Sequence, residues 1–464
     1  MSIGTGSGNY PDPYSGRTGW RDYQAHLKKT GAGRRRGKYV GFFMAAALAV
    51  SALIWILGGS SRLGTDVPLP HPPDASLQPS AAESVPRIDK RAIQAVLNSG
   101  TVLNSEEKRL DLVIEDRPVV IDTSLNMTLQ RFLLGKLDPS TSKHIGIVAM
   151  DPSSGRIVSM VGYDKTRRSE NLCTDQLFPA ASVFKIVTAA AVIEACGLSP
   201  RSTLTYNGRK HTLYKSQLKE QSNRWTIRTT LEKSFAQSIN PVFGKIGIHY
   251  LGQDLLAKYA DGFGFNREIP FEIPLQTSHI RIGNEPFQWA EVASGFNRDT
   301  RISIVHGAMM AAVIANGGVL MEPTVVDHVR DGAGRVIYES RPTAIRQVLS
   351  SEVTREMADL MTATVRYGTS RGAFRKHRKD EILSILYIGG KTGSIDNRVH
   401  DARIDWFVGF ARQRDGQRQL AVSVVVAHEK YIGTRAAEYA RMTIRQYFNT
   451  VEVSRSQAPT APSG

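Results

Sequence analysis

The chain reads as an α+β domain with one mixed core, tethered by a single N-terminal membrane span. Three observations predict this. An uncharged apolar run of about 19 residues covers Tyr39–Leu57. Two alternating β runs, HIGIVAMD and RIVSMVGYD, flank the turn-forming Pro152-Ser153-Ser154-Gly155, a hairpin pattern. A long helical insertion, a second strand group and an amphipathic terminal helix follow in that order, as expected for helices packed on a sheet.

Residues 1–38 are poor in apolar side chains and rich in Gly, Ser and Arg, so they cannot bury enough surface to offset ordering entropy. They read as a basic cytoplasmic tail. Segment 39–58 is the transmembrane anchor: at ~1.5 Å per residue its apolar run matches a hydrocarbon core of about 30 Å. Some 38 residues precede it and no convincing A-x-A site follows, which favours an uncleaved anchor over a signal peptide. Lys28, Lys29, Arg34, Arg35, Arg36 and Lys38 crowd its N-terminal side. By the positive-inside rule the bulk of the chain then lies outside the cytoplasm, placing it in the periplasmic or extracytoplasmic space of a bacterial cytoplasmic membrane.

Residues 59–109 form a Pro- and Ser-rich spacer followed by a short, weakly periodic segment. The domain proper is expected over 110–450. Leu110–Asp122 alternates like a strand, and Thr123–Lys136 opens with cap-type residues and carries Leu125, Leu129, Phe132 and Leu133 at helical spacing. Ala181–Cys196 is an alanine-rich helix closed by Gly197 and Pro200. Helical stretches continue to about Asn316. Beyond Leu320 strands return, as VVDHVRD, GRVIYES, LYIGGKTGS, DWFVGFA and QLAVSVVVAHE, before a helix over Arg435–Phe448. Residues 451–464 read as a disordered tail.

The formal net charge of +16 raises the question of nucleic acid. The basic cluster beside the span accounts for much of it through topology and anionic lipid, and no zinc-finger, RNP-like or recognition-helix pattern accompanies the rest. Nucleic-acid binding is excluded on that ground. The histidines lack ligand spacing, so neither a metal nor a cofactor is expected. Cys173 and Cys196 read as structural thiols.

S-x-x-K occurs four times, at Ser105–Lys108, Ser140–Lys143, Ser182–Lys185 and Ser216–Lys219. Positions i and i+3 of a helix share a face, so lysine can reach serine, but the amine is a useful base only where desolvation lowers its pKa. Ser105 lies among carboxylates, Ser140 in a polar turn and Ser216 in a charged segment. Ser182 and Lys185 alone begin an apolar helix whose N-terminus aims free N–H groups at a developing oxyanion. Taken singly, a capping serine with a snorkelling lysine explains the pair as well.

Two downstream elements change that balance: Ser238-Ile239-Asn240 and Lys391-Thr392-Gly393. S-x-x-K, S-x-N and K-T-G in this order are the signature of penicillin-recognising serine enzymes. Residues from about 110 to 448 resemble the transpeptidase domain of high-molecular-mass penicillin-binding proteins, in VVIDTSLNMTLQ, DPSSGRIVSMVG, TLEKSFAQSINPVFGKIG, AAVIANGGVLMEPTVV and GGKTGSIDN with DWFVGFA. The resemblance implies an antiparallel sheet of about five strands covered by N- and C-terminal helices, a helical subdomain, and a site in the cleft between. It implies Ser182 as nucleophile toward D-Ala-D-Ala, Lys185 as its base and Ser238 as proton relay. Asn240 would bind the substrate amide and orient Lys185. Lys391 and Thr392 would hold the terminal carboxylate, Gly393 would let substrate approach the strand, and the N–H groups of Ser182 and Ser394 would form the oxyanion hole.

The family often has Pro-Gly-Ser before the nucleophile and Thr after K-T-G, where this chain has Ala181 and Ser394. No E-x-x-L-N follows Ser182, so the deacylating glutamate of class A β-lactamases is missing and a long-lived penicilloyl-enzyme is implied. The leading expectation is a peptidoglycan D,D-transpeptidase that takes stem peptides and β-lactams. D,D-carboxypeptidase or slow β-lactamase activity, and a poorly catalytic muropeptide or β-lactam sensor, stand as alternatives. About fifty residues between span and domain leave no room for a glycosyltransferase domain, so a separate glycosyltransferase partner is expected.

Overall fold

The computed structural model describes residues 88–456 apart from Glu115 and residues 398–400. The expected cytoplasmic tail, membrane span and Pro-rich spacer lie outside the described residues. Among those described, no helix is long and apolar enough to cross a membrane.

The packed unit starts earlier than the boundary expected at 110. Two short helical turns, Lys90–Gln94 and Ser99–Val102, are capped by the side chains of Asp89 and Asn98, and they bury Ile93, Leu97 and Val102 in the main core. Turns of four or five residues are too short to show a helical period in sequence. The stretch expected as one strand over 110–122 is a hairpin, β1 (Arg109–Ile114) and β2 (Arg117–Thr123), turned at Asp116 with φ 62°. Helix α1 (Met127–Leu134) follows, its N-cap Asn126 accepting from the Leu129 N–H at 3.0 Å.

The central sheet begins with β3 (Ser142–Met150) and β4 (Ile157–Asp164), paired antiparallel across the predicted turn. Helix α2 (Lys185–Cys196) ends at Gly197, whose φ of 69° is the left-handed conformation glycine adopts freely. The helical insertion then comprises α3 (Leu231–Ala236), α4 (Asn240–Ile246), α5 (Gly252–Gly262), α6 (Pro286–Ser294) and α7 (Ile304–Ala315). All twelve residues of α7 are buried, as expected of a helix apolar all round but for His306. At Gly307 a Cβ would stand 2.4 Å from Ser423 Oγ, so the glycine lets α7 lie directly on the sheet.

Strands β5 (Val326–Asp331) and β6 (Val336–Glu339) join the first hairpin in a four-stranded sheet ordered β1-β2-β5-β6. The later strand group is interrupted by a helix absent from the sequence reading, α8 (Ser351–Arg366), with Ser350 as its cap. Then come β7 (Leu386–Asn397), β8 (Ala402–Gln413) and β9 (Gln419–His428). These three complete a five-stranded antiparallel sheet ordered β7-β8-β9-β3-β4, with the Lys391 strand at its edge.

Both faces of this sheet are covered, which is why its strands read as continuous apolar runs. Val422, Val424 and Val426 share a core with Leu129, Leu133, Tyr439, Ile444 and Phe448. Ala421, Val425 and Ala427 belong to the other core, with α2 and α7. Side chains alternate between faces, so β9 feeds both. The last helix, α9 (Ala436–Ser456), runs on into residues expected as tail; no glycine or proline stands before Pro459 to stop it.

Candidate active site

Ser182 does not lie in α2 itself. It sits in a 3-10 turn, Ala181–Phe184, that leads into the helix. The turn is tied down on both sides: Trp406 Nε1 donates to the Pro179 carbonyl at 2.9 Å, and the Ala180 N–H donates to the Thr300 carbonyl at 2.9 Å. Ala181 carries φ 48°, a conformation that costs a residue with a Cβ roughly 1 kcal/mol and explains why relatives often place glycine just before the nucleophile. A second close approach comes from Gly295, where a Cβ would stand 1.9 Å from the Ala181 carbonyl oxygen.

Lys185, one turn on, is fully buried. Its Nζ lies 2.9 Å from Ser182 Oγ and 2.8 Å from Asn240 Oδ1, and also donates to the Ser294 carbonyl. The Phe243 ring lies 5.4 Å away. Among the described residues no carboxylate pairs with it. Burial, reinforced by the charge of Lys391, holds its amine well below the usual lysine range. A neutral amine at hydrogen-bond distance from a hydroxyl can take its proton.

Ser238 lies between α3 and α4 with φ 55°, and Asn240 opens α4, its N–H bonded to the Lys210 carbonyl at 2.7 Å. Lys391 is also fully buried. Its Nζ donates to Ser238 Oγ at 3.0 Å and stands 5.6 Å from the Phe235 ring. Burial lowers its pKa to about 7. The two lysines thus define two adjoining hydroxyl–amine pairs, Ser182–Lys185 and Ser238–Lys391. By contrast Lys108 and Lys219 are exposed, and Lys143 ion-pairs with Asp401 at 3.5 Å.

Ser182, Ser238, Asn240, Thr392 and Ser394 line one cleft of about 540 Å³. Lys185 and Lys391 stand behind its wall. Along β7, Thr392, Ser394, Ile395 and Asp396 line the cleft. Gly393 does not: a Cβ there would meet Val183 Cγ2 at 3.1 Å and the Ala180 carbonyl oxygen at 3.2 Å. Its small size lets the nucleophile's own turn pack against this face of the strand. Lys391, one residue before Thr392, turns its ammonium end onto Ser238.

The cleft also holds residues that sequence reasoning did not single out. Thr369, delivered by the turn after α8, hydrogen-bonds Thr392 hydroxyl to hydroxyl. His211 sits beside Ser238; partial burial and the charges of Lys185, Lys210 and Lys391 lower its pKa against a bond it donates to the Ser238 carbonyl. Arg298, Arg403 and Arg435 line the Ser394 end. None of these lies in a recognisable local motif, and only the capped apolar spacing of α8 could have pointed toward Thr369.

A family model for the penicillin binding protein transpeptidase domain matches residues 145–445. The chain is 26% identical over 336 residues to the peptidoglycan D,D-transpeptidase PbpA of Mycolicibacterium smegmatis, covering 64% of this chain and 66% of that protein. It is 24% identical to the stage V sporulation protein D of Bacillus subtilis, covering 67% of this chain and 49% of the relative. The chain thus spans between about half and just under two thirds of these relatives' lengths. Among solved structures, PBPA from Mycobacterium tuberculosis superposes with a TM-score of 0.57 at 21% identity, covering 70% of this chain and 81% of the other. The D,D-transpeptidase domain of a peptidoglycan glycosyltransferase from Eggerthella lenta gives 0.59 at 22% identity, covering 72% and 84%. With its fold, its three motifs and the match over residues 145–445, this chain belongs to the family of penicillin-binding protein transpeptidase domains.

Proposed function

We propose that the chain is a serine-type peptidoglycan D,D-transpeptidase, held by segment 39–58 in the bacterial cytoplasmic membrane with residues 1–38 inside and the domain outside. The observation that carries this is the pairing of Ser182 with a buried, carboxylate-free Lys185 at 2.9 Å, beside the Ser238–Lys391 pair in one cleft. The named activity of the M. smegmatis relative supports it. Glycan strands would come from a separate glycosyltransferase. Residues 88–450 form the working domain in this reading.

Neutral Lys185 removes the proton of Ser182 Oγ as that oxygen attacks the carbonyl carbon of the penultimate D-Ala. The backbone N–H groups of Ser182 and Ser394 stabilise the tetrahedral oxyanion. Asn240 fixes Lys185 Nζ and takes the substrate amide. The C–N bond breaks as Ser238 gives its proton to the leaving nitrogen and recovers one from Lys391, whose pKa of about 7 suits a proton relay near neutral pH. The hydroxyls of Thr392 and Ser394 hold the terminal carboxylate, with Lys391 adding positive potential from behind. D-Ala departs and an amine of a second stem peptide attacks the acyl carbon; the ester C–O bond breaks as Ser182 Oγ takes back the proton held by Lys185, and the proton lost by the acceptor amine passes through Ser238 to Lys391. A penicillin acylates Ser182 by the same first step: the β-lactam C–N bond breaks, and the leaving nitrogen, now a protonated amine, remains tethered to the acyl group.

Transfer is separated from hydrolysis by incubating the full-length protein in detergent with a stem pentapeptide, with and without an amine acceptor. The expected result is a cross-linked product that grows with acceptor while free tetrapeptide declines. Release of tetrapeptide and D-Ala alone, whatever the acceptor concentration, would overturn the transpeptidase reading in favour of a carboxypeptidase.

A further inference from the structure

Three arginines that the proposed chemistry does not use converge on one end of the cleft. Arg403 lies directly across the β7–β8 ladder from Asp396, and its Nε is 3.4 Å from Ser394 Oγ. Arg298 Nε donates to the backbone carbonyl of the same Asp396 at 2.9 Å. Arg435 precedes α9, whose Ala436 N–H donates to Asp405 Oδ2 at 3.1 Å, and Asp405 is the cross-strand partner of Ser394. The ladder places Arg403, a side-chain bond holds Arg298 and the Ala436–Asp405 bond places Arg435 at the Ser394–Asp396 end, and all three residues are exposed there.

None of the three is ion-paired with another described residue. The recorded bonds of Arg298 and Arg403 use Nε; among the described residues the forked terminal nitrogens make none. That fork is the part of arginine that matches a carboxylate bidentately. Two carboxylates also line this end, but they do not neutralise it. Asp405 is almost fully buried and is engaged by Ala436, with His428 Nε2 at 3.7 Å. Asp396 alone is exposed, leaving an excess of positive charge that faces the substrate path. A low-dielectric cleft focuses such a field on an anionic ligand.

We propose that Arg298, Arg403 and Arg435 form a subsite for a second free carboxylate on a stem peptide, distinct from the C-terminal one taken by Thr392 and Ser394. This rests on the transpeptidase reading and makes the enzyme selective for strands whose side-chain or branch carboxylate is not amidated. The arginines act in binding and specificity, not in the acyl-transfer steps.

The test uses two synthetic stem peptides that are identical except that one inner carboxylate is free or converted to carboxamide, each offered in turn as donor and as acceptor. The full-length protein is expected to prefer the free carboxylate on at least one strand by roughly tenfold in kcat/KM, about 1.4 kcal/mol, expressed mainly in KM. The preference should shrink between about 0.05 and 0.5 M salt, as screening of an exposed charge cluster requires. In Arg298→Gln/Arg403→Gln/Arg435→Gln the ratio should fall to near one, and the corresponding Lys variant should restore part of it. Single Gln variants, read separately, give the same ratio test if the triple variant does not fold. Equal turnover of both peptides by the unaltered protein, or a preference that survives in the Gln variants, would overturn the subsite. Failure of the underlying reading would look different: no acyl transfer to any peptide and no penicillin adduct.

Discussion

Replacing Lys185 with methionine is expected to slow acylation by a penicillin about a thousandfold, the middle of the range for a positioned general base. Methionine fills nearly the same apolar volume beside Phe243, so the fold should survive. The pH dependence follows from the sign of the shift. Burial and Lys391 hold Lys185 well below the usual lysine range, so the free base forms at lower pH than an ordinary lysine allows. The acylation rate of the unaltered protein should therefore reach its plateau well below pH ~10 and fall on the acid side as the amine gains a proton. Stopped-flow acylation across pH gives both readings. A rate that climbs through pH ~10, where an ordinary lysine titrates, or a Lys185→Met variant within tenfold of the parent, would count against the base assignment.

Lys391→Met is expected to trade activity for stability. An ordinary lysine titrates near 10.4, whereas buried Lys391 titrates at about 7. Between those values the unfolded chain holds a proton that the folded chain has lost, so the parent gains stability as pH rises through the window. The burial penalty is fully present below about 7 and fades toward 10.4. Methionine carries no such penalty. The variant should exceed the parent by on the order of 2 kcal/mol at pH 7, with the margin closing as pH approaches 10, while acylation drops at least about a hundredfold. Urea unfolding of both proteins at several pH values measures this. A margin independent of pH would show that Lys391 is not a desolvated cation in the folded state.

The architecture was legible where side-chain periodicity is long and buried. Strands β3, β4, β8 and β9 announce themselves because both faces of the sheet are covered, so their apolar runs are uninterrupted. Helix α8 escaped because its surroundings read as strands and its exposed face is charged, although Ser350 and the spacing of Val353, Met357, Leu360 and Met361 record it. The short turns between Lys90 and Val102 carry no period at all.

The site divides in the same way. Ser182 with Lys185, and Ser238 with Asn240, are local pairs whose spacing places them together whatever the distant packing. What Lys391 faces is not a local property: it depends on where α3 brings Ser238, more than 150 positions earlier in the chain. That the Ala181–Phe184 turn packs against the face of β7 at Gly393 is likewise a product of tertiary structure that no local spacing announces. The three arginines come from an insertion loop, a central strand and the start of the last helix, so no spacing rule unites them before the chain is folded.

Ser182 is the residue that carries the acyl group in the proposed mechanism. Peptide mapping by mass spectrometry of the full-length protein treated with a penicillin, alongside Ser182→Ala, tests it most directly. The predicted result is a single adduct on the peptide containing Ser182, stable over the time of the experiment and absent from the variant. An adduct of equal yield in Ser182→Ala, or no adduct on the unaltered protein, would contradict it.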